Sequence, residues 1–221
     1  QLAQAYEQAK DNHKAILTYL TLQEYLSKFI DTQENLTKVT NLVFEELQKF
    51  SPKELLKKIS FYYEFDEYLP TDERLLSLTA QIIPDLLTLK LNGRAIDILK
   101  KKIDLLISLG KEKNTPEKYA PILGQIRIQL GNVYLEDNQP QKSWDAFNLI
   151  TDSSITVDDR LKILMSKVRA MAQLSQYDQA LSLIETGLQM PNASAHQDEL
   201  QRLRAKIHMS QEKWDEAIAG L

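Results

Sequence analysis

The sequence LGNVYLEDNQPQKSWDAF, residues 130–147, contains two short amphipathic patterns separated by a polar turn. In the first pattern, Leu130, Val133 and Tyr134 are spaced i, i+3, i+4 and therefore lie on one face of a helix. Gly131 follows Leu130, and its lack of a side chain lets a neighbouring helix approach closely at that point. The first half of the stretch therefore predicts a helix packed against a close partner.

The second half of the stretch predicts that partner. Asn138 and Gln139 interrupt the apolar periodicity, and Pro140 suits a first helical position because its missing N–H would have no partner there. Trp144 and Phe147 then begin a new apolar stripe. Residues 130–147 therefore predict two helices and the corner between them.

The same design recurs at a fixed interval. Ser143, the small residue where the two helices would touch, is followed by Ala180 and Ala217, each 37 residues after the one before. An aromatic residue, Tyr177 or Trp214, stands three residues before each of the two alanines. Periodicity of this size is typical of helical repeat arrays.

The residue order resembles the tetratricopeptide repeat. The pattern is a leucine, a small residue, an aromatic three residues further on, a polar turn, a small residue and an aromatic four residues after it. The matching residues are Leu130, Gly131, Tyr134, Ser143 and Phe147 in one copy, and Leu2, Ala3, Tyr6, Ala15 and Tyr19 in another. The later copies depart from the pattern, with Val168 and Met171 where a small residue and an aromatic are expected. The resemblance covers residues 1–25 and 123–221.

The resemblance implies an all-α fold, a right-handed superhelical array of antiparallel helix pairs. We expect twelve helices in six pairs, forming a single tetratricopeptide-like solenoid over residues 1–221. Residues 1–30 would be the first repeat, 31–115 divergent helical pairs and 116–221 three tetratricopeptide-like repeats. Because the chain begins with Gln rather than Met, we expect it to be a processed form or a fragment of a longer protein.

Local signals add detail to the predicted helices. One helix is predicted over residues 13–29, and another over 72–91 that Pro84 should kink or split, since proline removes a backbone hydrogen bond. Asn92-Gly93 is predicted to end that helix. An insertion at residues 110–115, with a longer helix on either side, accounts for the wider marker spacing before Ser143.

An aromatic cluster occupies the predicted helix that ends near Leu69. Phe61, Phe65 and Tyr68 share one helical face and are expected to fill the core, whereas Tyr62 is expected to be exposed. The alternative is a surface for stacking or peptide docking.

One basic run stands out, formed by Lys100, Lys101 and Lys102 with Lys111 and Lys113. It is expected to be the solvated face of a helix, because long lysine stems commonly cover such faces. The alternative is a contact with acidic lipid or an acidic segment of a partner.

Composition excludes several function classes. The net charge of −4 over 221 residues provides no basic field for nucleic acid. No apolar run approaches the ~18 residues of a membrane span. The absence of cysteine excludes disulfides and cysteine-based zinc sites, and suits the cytoplasm and an oxidising compartment equally.

No catalytic motif is present in the sequence. His13, His196 and His208 have no metal-ligand spacing, and there is no H-E-x-x-H, G-x-S-x-G, P-loop or Rossmann fingerprint. The sequence therefore favours a non-catalytic protein without a cofactor.

In the tetratricopeptide family, the first helix of each pair lines a concave groove that grips an extended peptide or a partner helix. The spacing within each first helix places six polar residues toward that groove: Gln125, Asn132, Lys162, Arg169, Arg202 and Lys206. The carboxyl-terminal half of this set is basic, which favours an acidic peptide or a carboxylate partner. Ile128 stands where the family's carboxylate clamp uses lysine, so that particular activity is not expected. The alternative is that these residues only solvate the inner wall.

Three functional hypotheses follow. The first is a protein-protein interaction scaffold, an adaptor that binds a peptide or partner protein in its groove. The second is a regulatory or assembly module that docks on another domain of its own longer chain, and exposed apolar patches would favour it. The third is an enzyme whose catalytic domain lies outside this sequence.

Overall fold

The computed structural model of the protein describes residues 1–26, 33–151, 155–191 and 193–219. These residues contain twelve α-helices and no β-strand, so the predicted all-α class is confirmed. The helices are α1 (Leu2–Gln8), α2 (Asn12–Leu26), α3 (Gln33–Lys49), α4 (Leu55–Glu64), α5 (Glu73–Thr88), α6 (Asn92–Glu112), α7 (Pro116–Glu136), α8 (Pro140–Asn148), α9 (Val157–Gln173), α10 (Tyr177–Leu188), α11 (Gln197–Ser210) and α12 (Trp214–Ala219). The end of the helix predicted over 13–29 lies outside the described residues.

The chain divides into two compact units, Gln1–Lys90 and Leu91–Leu221. In the first unit α1 packs on α2 and α2 on α3, while α3, α4 and α5 pack against one another. A single solenoid over the whole chain stays a prediction.

The second unit contains the regular repeats. From α6 to α12 each helix packs on the next, and α7 also packs on α9 and α9 on α11. The first helices of successive pairs, α7, α9 and α11, therefore lie side by side, which is the arrangement expected of stacked helix pairs. Apolar residues of α9, including Leu161, Val168 and Met171, form a buried cluster with residues of α10 and α11.

The turns between paired helices repeat with the same 37-residue interval. Asn138, Ser175 and Glu212 each adopt a positive φ, of 55°, 59° and 62°. After Ser175, the N–H of Gln176 donates to the carbonyl of Met171 at 2.9 Å, and the turns at Asn138 and Glu212 form the equivalent bond. This hydrogen bond closes a helix carboxyl terminus in the Schellman motif, where glycine is the usual residue. The 37-residue repeat is therefore also present in the backbone conformation of the turns.

Ser175→Gly is expected to raise the free energy of unfolding by about 0.5–1 kcal/mol, because glycine adopts a positive φ without steric cost. The matched control is Ser182→Gly in the exposed middle of α10, which should lower the free energy of unfolding by about 0.5 kcal/mol. Urea unfolding measures both. Equal shifts of the same sign would contradict the strained-turn interpretation.

The close helix contact predicted at Gly131 is present. A Cβ at Gly131 would lie 2.6 Å from two ring carbons of Phe147, which is closer than atoms can approach. Phe147 is 1% exposed and Ser143 is fully buried. The absence of a side chain on α7 therefore creates the space that the Phe147 ring of α8 fills.

Of the local predictions around α5 and α6, the split of α5 and the end of a helix at Asn92-Gly93 were wrong, whereas a kink at Pro84 stays a prediction. The helix α5 continues through Pro84 and is not split. Proline removes only its own N–H from the hydrogen-bond ladder, and Ile82, Ile83 and Leu86 are buried at that point, so packing maintains the helix. Asn92-Gly93 does not end α5 but begins α6. The turn between the two helices lies earlier in the chain, at Lys90, whose φ is 58°.

The predicted insertion before the regular repeats has a simple form. The helices α6 and α7 are each 21 residues long. Only residues 113–115 connect them, and Gly110 is helical. The additional residues therefore lengthen the helices, as predicted, and do not form a long loop.

Burial corrects three side-chain assignments, the first of them Tyr68, which is only partly buried and lies in a 3-10 turn after α4 ends at Glu64. Phe61 and Phe65 are buried as predicted, but Tyr62 is 1% exposed because α4 packs against both α3 and α5. Burial also raises the pKa of the Tyr62 hydroxyl. In the basic run, four lysines are exposed, but Lys102 is buried, and burial lowers the pKa of its ammonium group.

Candidate binding groove

A groove of about 610 Å³ lies along the helices α7, α9 and α11. Because α9 packs against both α7 and α11, side chains from all three helices share one surface. The lining residues are Asn132, Leu135, Glu136, Lys162, Met165, Ser166, Arg169, Gln173, His196 and Glu199. Three of the six predicted groove residues, Asn132, Lys162 and Arg169, are therefore brought together.

A smaller cavity of about 240 Å³ lies between α9 and α11. It is lined by Val168, Arg169, Ala172, Gln173, Leu203, Lys206, Ile207 and Ser210. Arg169 and Gln173 line both cavities, so the two form one continuous surface, which we call the first-helix groove. This surface adds Lys206 to the predicted residues that lie together.

The other two predicted residues lie outside both linings. Gln125, on α7, donates from Nε2 to Oδ2 of Asp159 on α9 at 2.9 Å. Arg202 is exposed on α11. Gln125 therefore links two first helices, and the structure does not bring Arg202 into the groove.

Polar contacts hold the floor of the groove in place. The buried hydroxyl of Ser166 donates to Oδ1 of Asn132 at 2.9 Å, which joins α9 to α7. Although burial raises the pKa of Asp159, hydrogen bonds from Thr156 and Gln125 lower it overall. Thr156 also caps α9, with the backbone N–H of Asp159 donating to its hydroxyl at 3.1 Å. The start of α9 is therefore fixed against α7.

A chain of charged and polar side chains runs along one side of the groove. The ammonium group of Lys162 lies 2.5 Å from Oδ2 of Asp158, and Nε2 of His196 lies 3.1 Å from Oδ1 of the same carboxylate. The guanidinium of Arg169 lies 2.5 Å from Oε1 of Glu199, across the α9 and α11 interface. The hydrogen bonds from Lys162 and then His196 lower the pKa of Asp158.

The cations of the groove are of two kinds. Lys162 and Arg169 already face carboxylates of the protein itself. Within the described part of the chain, the side chains of Lys206 and Arg202 form no ion pair or hydrogen bond. The end of the groove nearest Lys206 is therefore where positive charge is most available.

Glu199 is a groove residue that the sequence interpretation missed. It stands 37 residues after Lys162, which itself stands 37 residues after Gln125, so strict use of the repeat interval would have identified it. The interval instead aligns Arg202 with Met165 and Ile128. The interval aligns His196 with Asp159 at the start of α9, so residue type gave no such signal for His196, which lies in the 3-10 turn Ala193–His196.

No protein-family model matches the chain, and no curated protein matches its sequence. Among solved structures, the chain is similar to the crystal structure of the apo form of RapI, with 16% identity, a TM-score of 0.49, and coverage of 98% of this chain and 79% of that chain. No helix in the described ranges has the length and apolar character needed to cross a membrane. Within the same ranges, no group of three or more histidine, aspartate or glutamate side chains could hold a metal ion.

Proposed function

We propose that the protein is an interaction scaffold whose first-helix groove binds an extended acidic segment of a partner protein. The observation that carries this proposal is the position of Arg169, which lines both cavities and already binds a carboxylate, that of Glu199. The volume of the groove lies within the usual range for ligand sites.

The Arg169 and Glu199 pair supports carboxylate recognition. Arg169 and Glu199 are both more than two-fifths exposed, so water and an incoming ligand can reach the pair. An exposed ion pair of this kind contributes little to stability and exchanges partners readily. An acidic side chain of a ligand can therefore replace Glu199 on Arg169, while Lys206 offers a second charge-assisted contact.

Polar side chains of the groove suit the backbone of an extended peptide. The amide of Gln173 is exposed and forms no hydrogen bond within the described part of the chain. An amide offers both a donor and an acceptor, which matches the alternating groups of a peptide backbone. Gln173 lines both cavities, so one ligand can contact it together with Arg169.

An array of short synthetic peptides of varied charge tests this proposal. Acidic peptides selected on the parent protein should bind Arg169→Glu/Lys206→Glu at least about tenfold more weakly, because two charge-assisted hydrogen bonds become repulsions. The matched control is Lys111→Glu, at the exposed carboxyl end of α6, which should bind like the parent. Circular dichroism checks that helicity is retained. Equal binding by the parent and the double variant would contradict the proposal.

A docking role toward another domain is the second candidate function, and exposed apolar side chains favour it. Trp214 and Ile218 on α12 are 57% and 73% exposed, and Leu2 on α1 is 60% exposed. Apolar surface of this kind often marks an interface. Loss of a partner protein with Trp214→Ser/Ile218→Ser, but not with the groove variant, would favour this second function.

A further inference from the structure

A second set of cavities lies between the second helices of consecutive pairs. The first notch, of about 360 Å³, is formed by α6, α7 and α8, and the second, of about 420 Å³, by α8, α9 and α10. Both notches border α8, and they share no lining residue. None of their lining residues belongs to the first-helix groove.

The notches are features of the repeat itself. Leu130, Ala146 and Leu149 line the first notch, and Lys167, Leu183 and Thr186, each 37 residues later, line the second. Equivalent positions therefore create equivalent cavities in successive repeats, as expected where each repeat contacts its neighbours in the same way.

The walls of the notches are apolar and their charges are mainly positive. Arg127, Lys142 and Asp145 line the first notch, which gives a formal charge of +1, and Arg160 and Lys167 line the second, which gives +2. By contrast, the two cavities of the first-helix groove together have three cations, Lys162, Arg169 and Lys206, against two carboxylates, Glu136 and Glu199, which gives +1. The more basic of the two surfaces is therefore the one with the notches.

Two of the cations lie over aromatic rings, one of which, Tyr134, lines the first notch. The ammonium of Lys142 is 5.9 Å from the ring centroid of Tyr134, and that of Lys167 is 5.2 Å from the ring centroid of Trp144. Nη1 of Arg127 donates to the carbonyl of Leu149 at 2.6 Å, which fixes the guanidinium against the end of α8. Each notch therefore combines an apolar interior with positive charge at its edge.

Leu149 connects the two notches. It lies directly after α8, lines the first notch and is 61% exposed, although it is a large apolar residue. The next residue, Ile150, lines the second notch. A segment that crosses the carboxyl end of α8 at Leu149 can therefore reach both cavities.

We propose that this surface binds an acidic, extended peptide segment that crosses α8 at Leu149 and places one large apolar side chain in each notch. The helices α7 and α9 pack directly, which sets their axes about 8–10 Å apart. A polyproline II segment rises ~3.1 Å per residue with three residues per turn, so side chains three apart point the same way and lie about 9 Å apart. The fitting motif is therefore two large apolar residues three positions apart, flanked by Asp or Glu.

Synthetic labelled peptides with a Leu-Xaa-Xaa-Leu core test this proposal. The parent protein should bind the core with acidic flanks, and should bind at least about tenfold more weakly a peptide with adjacent leucines or with lysine flanks. Leu149→Asp and, separately, Lys142→Glu/Lys167→Glu should each weaken binding of the acidic peptide by a similar factor. Lys53→Glu, an exposed position on the turn Pro52–Glu54 of the first unit, is the matched control and should leave this binding unchanged, whereas Lys206→Glu tests the first-helix groove. Circular dichroism establishes that each variant retains its helicity.

Several results would overturn the proposal. The first is equal binding of peptides with separated and with adjacent leucines. The second is binding of the acidic peptide that persists in both notch variants. The third is loss of binding in Lys206→Glu, which would assign the peptide to the first-helix groove. A separate experiment with vesicles containing phosphatidylglycerol tests whether the basic surface binds a membrane. Flotation of the parent protein with these vesicles, lost in Lys142→Glu/Lys167→Glu, would assign the basic surface to a membrane instead of a peptide.

Discussion

Replacing Phe147 by alanine is expected to lower the free energy of unfolding of the second unit by about 3–5 kcal/mol, the usual cost of removing a buried aromatic ring. Phe147 is 1% exposed, and its ring fills the space left by the missing side chain of Gly131. The surrounding helices cannot collapse fully into the resulting cavity, because α7 and α8 are joined by a tight turn at Asn138. Urea unfolding followed by the fluorescence of Trp144, which packs on the α9 cluster, measures the change.

Two controls isolate the contact between Gly131 and Phe147. Leu149→Ala, two residues further along the chain and 61% exposed, should change the free energy of unfolding by no more than about 0.5 kcal/mol. Gly131→Ala should destabilise the parent, since its Cβ would overlap the Phe147 ring, but should stabilise the Phe147→Ala protein by up to about 1 kcal/mol through helix propensity. If Gly131→Ala has the same effect in both backgrounds, the contact does not exist.

Asp85→Ala is expected to lower the free energy of unfolding of the first unit by about 2–3 kcal/mol, because it leaves a buried lysine without its partner. The ammonium of Lys58 on α4 donates to Oδ2 of Asp85 on α5 at 3.0 Å. The side chain of Lys58 is 11% exposed and that of Asp85 is 24% exposed, so the expected cost lies at or just below the lower limit of the ~3–5 kcal/mol that breaking a fully buried pair costs. Hydrogen exchange of the α4 and α5 amides reports this unit specifically.

The control for Asp85→Ala replaces both partners. Lys58→Met/Asp85→Leu removes both charges and retains most of the volume, so its free energy of unfolding should lie within about 1 kcal/mol of the parent value. A double variant as unstable as Asp85→Ala would show that lost packing, and not an unpaired charge, is the cause. An unchanged stability in Asp85→Ala would contradict the pairing itself.

The sequence predicts the second unit well, because its repeat is encoded in packing residues. The packing of α7 on α8 requires small residues at Gly131 and Ser143 and an aromatic ring at Phe147, and these residue types can be recognised in the sequence. The turns were harder to predict. Their positive φ, for which glycine is the usual signal, is adopted by Asn138, Ser175 and Glu212. Their common interval, and not their identity, relates them.

The failures of prediction occur where local propensity opposes tertiary packing. Pro84 is a helix breaker in isolation, but buried neighbours keep α5 continuous. Tyr62 lies on the side of α4 that an amphipathic pattern assigns to solvent, and a second packing partner covers it. A helix with two neighbours buries more than one stripe, and a single sequence does not reveal how many neighbours a helix has.

The sequence predicted several lining residues of the first-helix groove but not the ion pairs that they form. Spacing within first helices placed Asn132, Lys162, Arg169 and Lys206 on the lining that the structure describes. The same spacing did not reveal that Lys162 and Arg169 face the carboxylates of Asp158 and Glu199. Ion pairs depend on side chains of neighbouring helices, so the charge of a groove cannot be summed from one face of each helix alone.

The most direct test of the proposed function is a nuclear magnetic resonance titration of the isotope-labelled protein with an acidic peptide selected on the array. We predict chemical-shift changes concentrated at the side-chain amides of Asn132 and Gln173 and at the guanidinium of Arg169, with the Arg169 resonance moving as Glu199 is displaced. Changes confined to the notches beside α8 or to residues 1–90, with the first-helix groove unperturbed at saturation, would contradict the proposed function.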